Sequence, residues 1–253
     1  MLTWTTIVLA GLAACAAGLV NALAGGGTLI TFPALVALGI PAVVANVTNT
    51  VALCPGYLGG VIAQRDDLRG QEKRLRALVP AAIIGGVAGG ILLLWISSNV
   101  FQVLVPFLIL FTAGLLAVQD RVREWIRKHT AGGGAADRKG AVVPIGLAAV
   151  YGGYFGPGLS VIVLAVLGLT TDDTLPRLNA IKQCISLSAN VAAAVLFIFS
   201  SMVVWPLALV MGAGALAGGM LGGKIAGRIR PDLLRWTIVV IGTLIGIAFL
   251  MRL

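Results

Sequence analysis

The chain has 253 residues, 59% of them hydrophobic and only 11% charged, with a net charge of +9 and a mean hydropathy of +1.03. A soluble domain carries about 25% charged residues, so there is too little polar surface here to face water on all sides. Membrane helices packed closely on small residues account for the 34 glycines.

In chain order, Trp4 to Ala24 is long enough to span a bilayer core, which needs about 20 helical residues. Thr28 to Leu38 is apolar but too short to span alone. Ala42 to Ala63 is long enough yet polar. Leu75 to Ile96 and Val100 to Val118 are plain spans, joined by a turn at Ser97-Ser98-Asn99. A polar loop is expected from Gln119 to Gly140, including Gly132-Gly133-Gly134. The pattern then recurs. Ala141 to Phe155 and Leu159 to Leu169 are short, Pro176 to Phe199 is long and polar, and Met202 to Gly223 and Leu233 to Leu250 are plain spans. The first stretch is not a typical secretory signal, because no Lys or Arg precedes Arg65.

Short matches support a repeat. Leu38-Gly39 and Leu167-Gly168 close the short second segments. Asn46 and Asn179 stand near the start of the polar spans. Gly85, Gly89 and Gly90 are matched by Gly214, Gly218 and Gly219, a small-residue face in each half, for packing within the bundle or between protomers.

Charge orders the topology through the positive-inside bias. Basic residues cluster at Arg65, Arg69, Lys73, Arg74 and Arg76; at Arg121, Arg123, Arg127, Lys128, Arg138 and Lys139; at Arg177; and at Lys224, Arg228, Arg230 and Arg235. These are 16 of the 18 Lys and Arg, with Lys182 and Arg252 remaining. All four regions fit on the cytoplasmic side if each pair of short segments forms a hairpin. The first half then begins outside and the second inside, and both termini lie outside. The expectation is an all-α polytopic membrane protein with an inverted-topology repeat and broken or re-entrant short helices, a plan of secondary transporters. Residues 1–119 form the first repeat, 120–140 a basic cytoplasmic linker, and 141–253 the second, inverted repeat.

Two kinds of position can carry chemistry. Gly25-Gly26-Gly27 and Gly156-Pro157-Gly158 break the short hairpins. Such breaks survive at membrane depth only inside protein or against a wet cavity, and a helix start there suits an anion. The polar spans carry Asn46, Thr48 and Asn49 in the first half and Asn179, Lys182 and Gln183 in the second. Asn46 and Asn49 share a helix face, as do Asn179, Lys182 and Gln183. Interhelical hydrogen bonding is the plain alternative for the amides and hydroxyls. Lys182 is the one charged residue within an expected span beyond its first three residues, and all nine Asp and Glu fall in cytoplasmic segments. It calls for an anion, or else it snorkels toward Arg177 or meets Asp172 or Asp173.

Zinc-protease, serine-hydrolase and P-loop signatures are absent, so no enzyme and no cofactor is expected. Cys15, Cys54 and Cys184 are too scattered for a disulfide framework or a metal site, and His129 reads as a loop residue.

The triple glycine, followed by Phe32-Pro33-Ala34-Leu35, Leu38-Gly39-Ile40-Pro41 and Ala45 with Asn46 to Thr50, resembles the sulfite exporter TauE/SafE family. Gly156-Pro157-Gly158 with Asn179 is similar to its repeated motif. The resemblance implies a permease of the bacterial inner membrane for sulfite or another sulfur-containing or organic anion. It implies gradient coupling to a proton or ion rather than ATP. The expected partners are a small anionic substrate and the bilayer, with no nucleic acid and with room for a homo-oligomer. The expected site residues are Gly25, Gly26, Gly27, Asn46, Thr48, Asn49, Gly156, Gly158, Asn179, Lys182 and Gln183. An anion channel and a non-transporting scaffold are the alternatives, and a scaffold should lack a polar cavity between the halves.

Overall fold

The computed structural model describes residues 3–23, 26–129, 139–225 and 231–251. Gly25, Gly132 to Gly134, Asp137, Arg138, Arg228, Arg230 and Arg252 lie outside the described residues. The described residues form ten α-helices: α1 (Trp4–Leu23), α2 (Thr28–Ala37), α3 (Ala42–Ala63), α4 (Glu72–Trp95), α5 (Ser98–His129), α6 (Val142–Tyr154), α7 (Leu159–Thr170), α8 (Leu175–Phe199), α9 (Trp205–Ile225) and α10 (Pro231–Leu250). Lys139–Ala141 forms a 3₁₀ turn, and no strand occurs among the described residues. Among the described residues, four helices, α1, α4, α5 and α8, are long and apolar enough to cross a membrane. The protein is an all-α polytopic membrane protein.

Two expectations are corrected. The polar stretch after Val118 is not a loop, because α5 continues to His129. Its polar residues lie on a helix whose other side stays apolar: Val122 and Ile126, one turn apart, pack into the core, and Glu124 pairs with Lys128 at 2.9 Å on the exposed side. His129 therefore ends a helix. The turn expected at Ser97-Ser98-Asn99 is tighter, since α4 ends at Trp95 and α5 starts at Ser98.

The helices pack through glycine. A Cβ on Gly85 or Gly89 of α4 would fall on the carbonyl oxygens of Gly146 and Val150 in α6. A Cβ on Gly214 or Gly218 of α9 would fall on those of Gly11 and Cys15 in α1. These backbones touch because no side chain intervenes, which is how membrane helices gain dispersion contact without a hydrophobic driving force between them. The two seams match position for position, and each joins a helix from before the central linker to one from after it. Gly86 meets the Ala189 carbonyl of α8 in the same way, and Gly56 of α3 faces the Ala215 methyl of α9 at ordinary contact distance.

The paired positions give directions. α1, α3 and α9 run parallel, and α4, α6 and α8 run parallel. α3 and α8 are antiparallel, since Gly60 meets Gln183 while the Val204 amide, just beyond α8, donates to Thr48 Oγ1 at 3.0 Å. Many large apolar side chains are exposed along the outer surface of the helices. Trp4, Trp95 and Phe199 are more than four-fifths exposed, at the start of α1 and the ends of α4 and α8. These helix ends lie at one face of the bundle, where amphipathic rings mark a membrane interface.

Candidate functional site

The α1–α2 junction turns through Gly26, whose φ of +88° is open to glycine and strained for other residues. Gly27 lies so close to the Ala17 carbonyl that a Cβ there would collide with it. The chain restarts as a helix at Thr28, and the Leu29 and Ile30 amides close the first turn on the carbonyls of Gly26 and Gly27 at 3.0 and 2.9 Å. A cavity of about 280 Å³ opens at this point. Its walls are the end of α1 (Gly18, Asn21), the start of α2 (Gly27, Thr28), the last turns of α3 (Gly60, Gln64), Gln183 of α8, and α9. Glycines at 56, 59 and 60 strip one wall of side chains, so the Gln183 amide stands against α3 backbone. Among the described residues, no charged side chain lines the cavity. Its polar groups are the amides of Asn21, Gln64 and Gln183, the hydroxyl of Thr28, and the positive end of a ten-residue helix.

The second break serves a different place. Gly156 and Gly158 have φ of +89° and +85°, and α7 restarts at Leu159. The Pro157 carbonyl accepts from Tyr151 Oη at 2.7 Å and from Thr112 Oγ1 at 3.2 Å. The Tyr154 carbonyl accepts from Asn46 Nδ2 at 2.9 Å. Phe155 packs edge-on against Phe32, with ring centroids 5.3 Å apart. This break is sealed by aromatic rings and hydroxyls, whereas the first faces open space. Along α3, Asn46 at one break and Gly60 at the other are separated by roughly 20 Å of helix.

The expected site residues are thus distributed. Gly27 and Gln183 meet in the cavity. Gly26 turns beside it, and a Cβ there would press on Leu116 at 2.7 Å. Asn46, Gly156 and Gly158 build the second break, and Thr48 fastens the α8–α9 turn. Asn49 is fully buried, and neither amide atom has a hydrogen-bond partner. Asn46 Oδ1 and Tyr154 Oη, both buried, also lack one. Asn179 and Lys182 bond to each other at 3.1 Å and line no part of the cavity. Lys182 is buried rather than reaching for solvent, and it meets neither Asp172 nor Asp173.

Two cavity residues escaped sequence reasoning, Asn21 and Gln64. Asn21 is a polar residue near the end of an apolar run, just before a glycine break, and that placement was the signal. Gln64 was hidden beside the basic run that begins at Arg65.

At the end of the bundle nearer the cavity, Asp173 in the α7–α8 loop draws the α3–α4 loop in. Its Oδ2 accepts from Gln71 Nε2 at 2.6 Å and Arg74 Nη1 at 2.5 Å, and Oδ1 accepts from the Thr174 amide at 2.8 Å. Arg177 lies 3.6 Å from Oδ1 and donates to the Arg69 carbonyl at 2.6 Å. Burial pushes the Asp173 carboxyl up, but the bonds from Gln71, Thr174 and Arg74 and the charge of Arg177 outweigh it and hold it below the ordinary carboxylate range.

Broken helices, paired glycine seams and a polar cavity inside an apolar bundle define a membrane protein built to handle a small solute. The chain belongs to the sulfite exporter TauE/SafE family, whose pattern it matches over residues 10–249. It is a membrane transporter of that type. The probable membrane transporter protein of Haemophilus influenzae (strain ATCC 51907 / DSM 11121 / KW20 / Rd) is 30% identical over 227 residues, covering 88% of this chain and 86% of the relative. The probable membrane transporter protein ORF9 of a Sinorhizobium species is 26% identical over 249 residues, 94% of this chain and 90% of the relative. The probable membrane transporter protein YfcA of Escherichia coli (strain K12) is 23% identical over 232 residues, 91% and 84% of the two chains. No solved structure matches the chain.

Proposed function

We propose that the protein is a secondary transporter of the bacterial inner membrane, for sulfite or another small sulfur-containing or organic anion. The observation that carries this reading is the cavity, whose walls come from α1, α2 and α3 before the central linker and from α8 and α9 after it. A scaffold has no use for such a space. Three side-chain amides offer N–H donors to anion oxygens with no fixed cation among the described lining residues, so the anion binds weakly enough to leave. The volume of about 280 Å³ accommodates such an anion with some of its water, at about 30 Å³ per water.

The two halves act as inverted repeats. Matching glycine seams and opposite helix directions support this, and the basic residues at the cavity end favour a cytoplasmic side for it. In this state the cavity faces the cytoplasm, and the aromatic seal at Tyr154 and Phe155 closes the way outward. The unpartnered amide of Asn49 is a second polar stop on α3 toward that seal. Movement of one half against the other would exchange the open and sealed ends. A proton or ion gradient would drive it.

The test is a flux screen of purified protein in proteoliposomes, with sulfite, thiosulfate, sulfonates and short carboxylates, with and without imposed gradients. Flux of at least one anion, driven uphill by a second gradient and reduced tenfold or more by Gln183→Leu, is the expected result. Flux that only follows the anion's own electrochemical gradient identifies a channel. Absence of flux for every anion, or full flux in Gln183→Leu, overturns the reading.

A further inference from the structure

A short polar stretch of α3 is buried between two cavities. Leu53 lines the cavity described above. At the other end of α3, Ala42 lines a second cavity of about 390 Å³, with Gly39 and Pro41 of the α2–α3 turn, Gln102 of α5 and Phe249 of α10. Asn46 lies one turn from Ala42, and Asn49 one turn from Leu53. All four share one face of the helix. Asn46 and Asn49 are 1% and 0% exposed, so the stretch is closed to both cavities.

The free groups here are mostly acceptors. Asn46 donates its Nδ2 to the Tyr154 carbonyl at 2.9 Å, and only the NH₂ can face a carbonyl, so Oδ1 is the atom left without a partner. Asn49 has neither Oδ1 nor Nδ2 paired, and the three-residue spacing sets its side chain about 5–6 Å from that of Asn46. The Tyr154 carbonyl keeps a second lone pair. It belongs to the last residue of α6, where the Phe155 and Gly156 amides both return to the Tyr151 carbonyl, at 2.9 and 3.4 Å. The negative end of the α6 dipole therefore falls beside Asn46. Neither α3 nor α6 carries an Asp or Glu. Buried amide atoms left unpaired cost free energy that a ligand would offset.

We propose that Asn46 Oδ1, Asn49 Oδ1 and the Tyr154 carbonyl bind a sodium ion, admitted from the cavity at Ala42. Neutral oxygens at a helix C-terminus are the ligands that a monovalent cation takes inside a membrane protein, and a divalent ion would call for carboxylates. The role of the ion rests on the transport reading above: sodium is then the ion whose gradient moves the anion.

The experiment uses the full chain in phosphatidylcholine nanodiscs. The thermal midpoint is followed as sodium chloride replaces choline chloride at constant ionic strength, with potassium chloride for comparison. Sodium is expected to raise the wild-type midpoint saturably, and potassium is not. Asn49→Leu removes both unpaired polar atoms at nearly constant volume, so it should fold with an equal or higher midpoint in choline and show no sodium response. Asn49→Asp keeps an oxygen and adds charge, so it should respond at lower sodium concentrations than the wild type, and it reads the site even if the leucine variant folds poorly. A sodium response that survives Asn49→Leu overturns the proposal. So does an Asn49→Asp no more sensitive to sodium than the wild type, an equal response to potassium, or a wild type indifferent to sodium. In proteoliposomes, an imposed sodium gradient should accelerate anion flux in the wild type and not in Asn49→Leu, and wild-type flux indifferent to sodium overturns the coupling role. Binding is read without any anion, so its failure leaves the transport reading standing.

Discussion

Asp173→Asn tests how the α3–α4 and α7–α8 loops are held. Both carboxylate oxygens are used, one by Gln71 and Arg74 and the other by the Thr174 amide and Arg177. An asparagine has one oxygen for these donors and turns an N–H₂ toward the rest. Removing one partner of a fully buried charge pair costs about 3–5 kcal/mol. Here the Asp173 side chain is 9% exposed, but Arg74 and Arg177 are 18% and 40% exposed and regain water when released. That brings the expected loss to about 2–3 kcal/mol. At about 2–4 °C per kcal/mol for a chain of this size, the thermal midpoint in detergent should fall by about 4–12 °C at neutral pH.

The sign of the pH effect follows from the depressed carboxyl. Its contribution is complete above the unfolded pKa of about 3.9 and is lost as pH falls through the lower native value. Wild type and Asp173→Asn should therefore differ by a constant amount from neutral pH down to about pH 5 and converge in stronger acid. An unchanged midpoint in the variant, or a gap that persists undiminished in strong acid, would refute the reasoning.

Other outcomes follow from the packing. Gly89→Val and Gly218→Val should each abolish recovery of monodisperse protein by size-exclusion chromatography, because a side chain there occupies the space of a carbonyl oxygen in α6 or α1. Gly114→Val, where nothing lies within 4 Å, should purify like the wild type. Gly158→Ala should lower the thermal midpoint by the few degrees that correspond to about 1–2 kcal/mol of left-handed strain. Asn46→Ala should cost about 1–3 kcal/mol by leaving the Tyr154 carbonyl without its donor, and Asn46→Asp should cost more because the bond to that carbonyl becomes a repulsion.

Much of the helix plan was legible because lipid imposes it. An apolar run of sufficient length must be a helix, and a glycine cluster inside one must be a break. The α5 extension was missed because average hydropathy falls after Val118, while the Val122 and Ile126 spacing that keeps it helical is hidden among charges. The candidate site was legible only in pieces. Helix spacing puts Asn179, Lys182 and Gln183 near one another, but the partner helix decides what each one meets. Gln183 meets Gly60 and the cavity, while Lys182 turns back to Asn179 on its own helix. The two glycine breaks look equivalent as motifs. Proline, Tyr154 and Phe155 distinguish them in space, giving one an aromatic seal and leaving the other open.

The glycine seams also set the order in which the molecule comes into being. Gly11 and Cys15 of α1 wait for Gly214 and Gly218 of α9, roughly 200 residues later in synthesis. At about 5–20 residues per second, that leaves α1 in the membrane for on the order of ten seconds or more with its closest packing surface bare. Neither half can complete its own interior, since α4 rests on α6 and α8, and α9 on α1 and α3. The central linker thus joins two pieces that need each other's surfaces more than they need the peptide between them. Two separate chains cut within that linker and made in the same cell contain every seam the intact protein has.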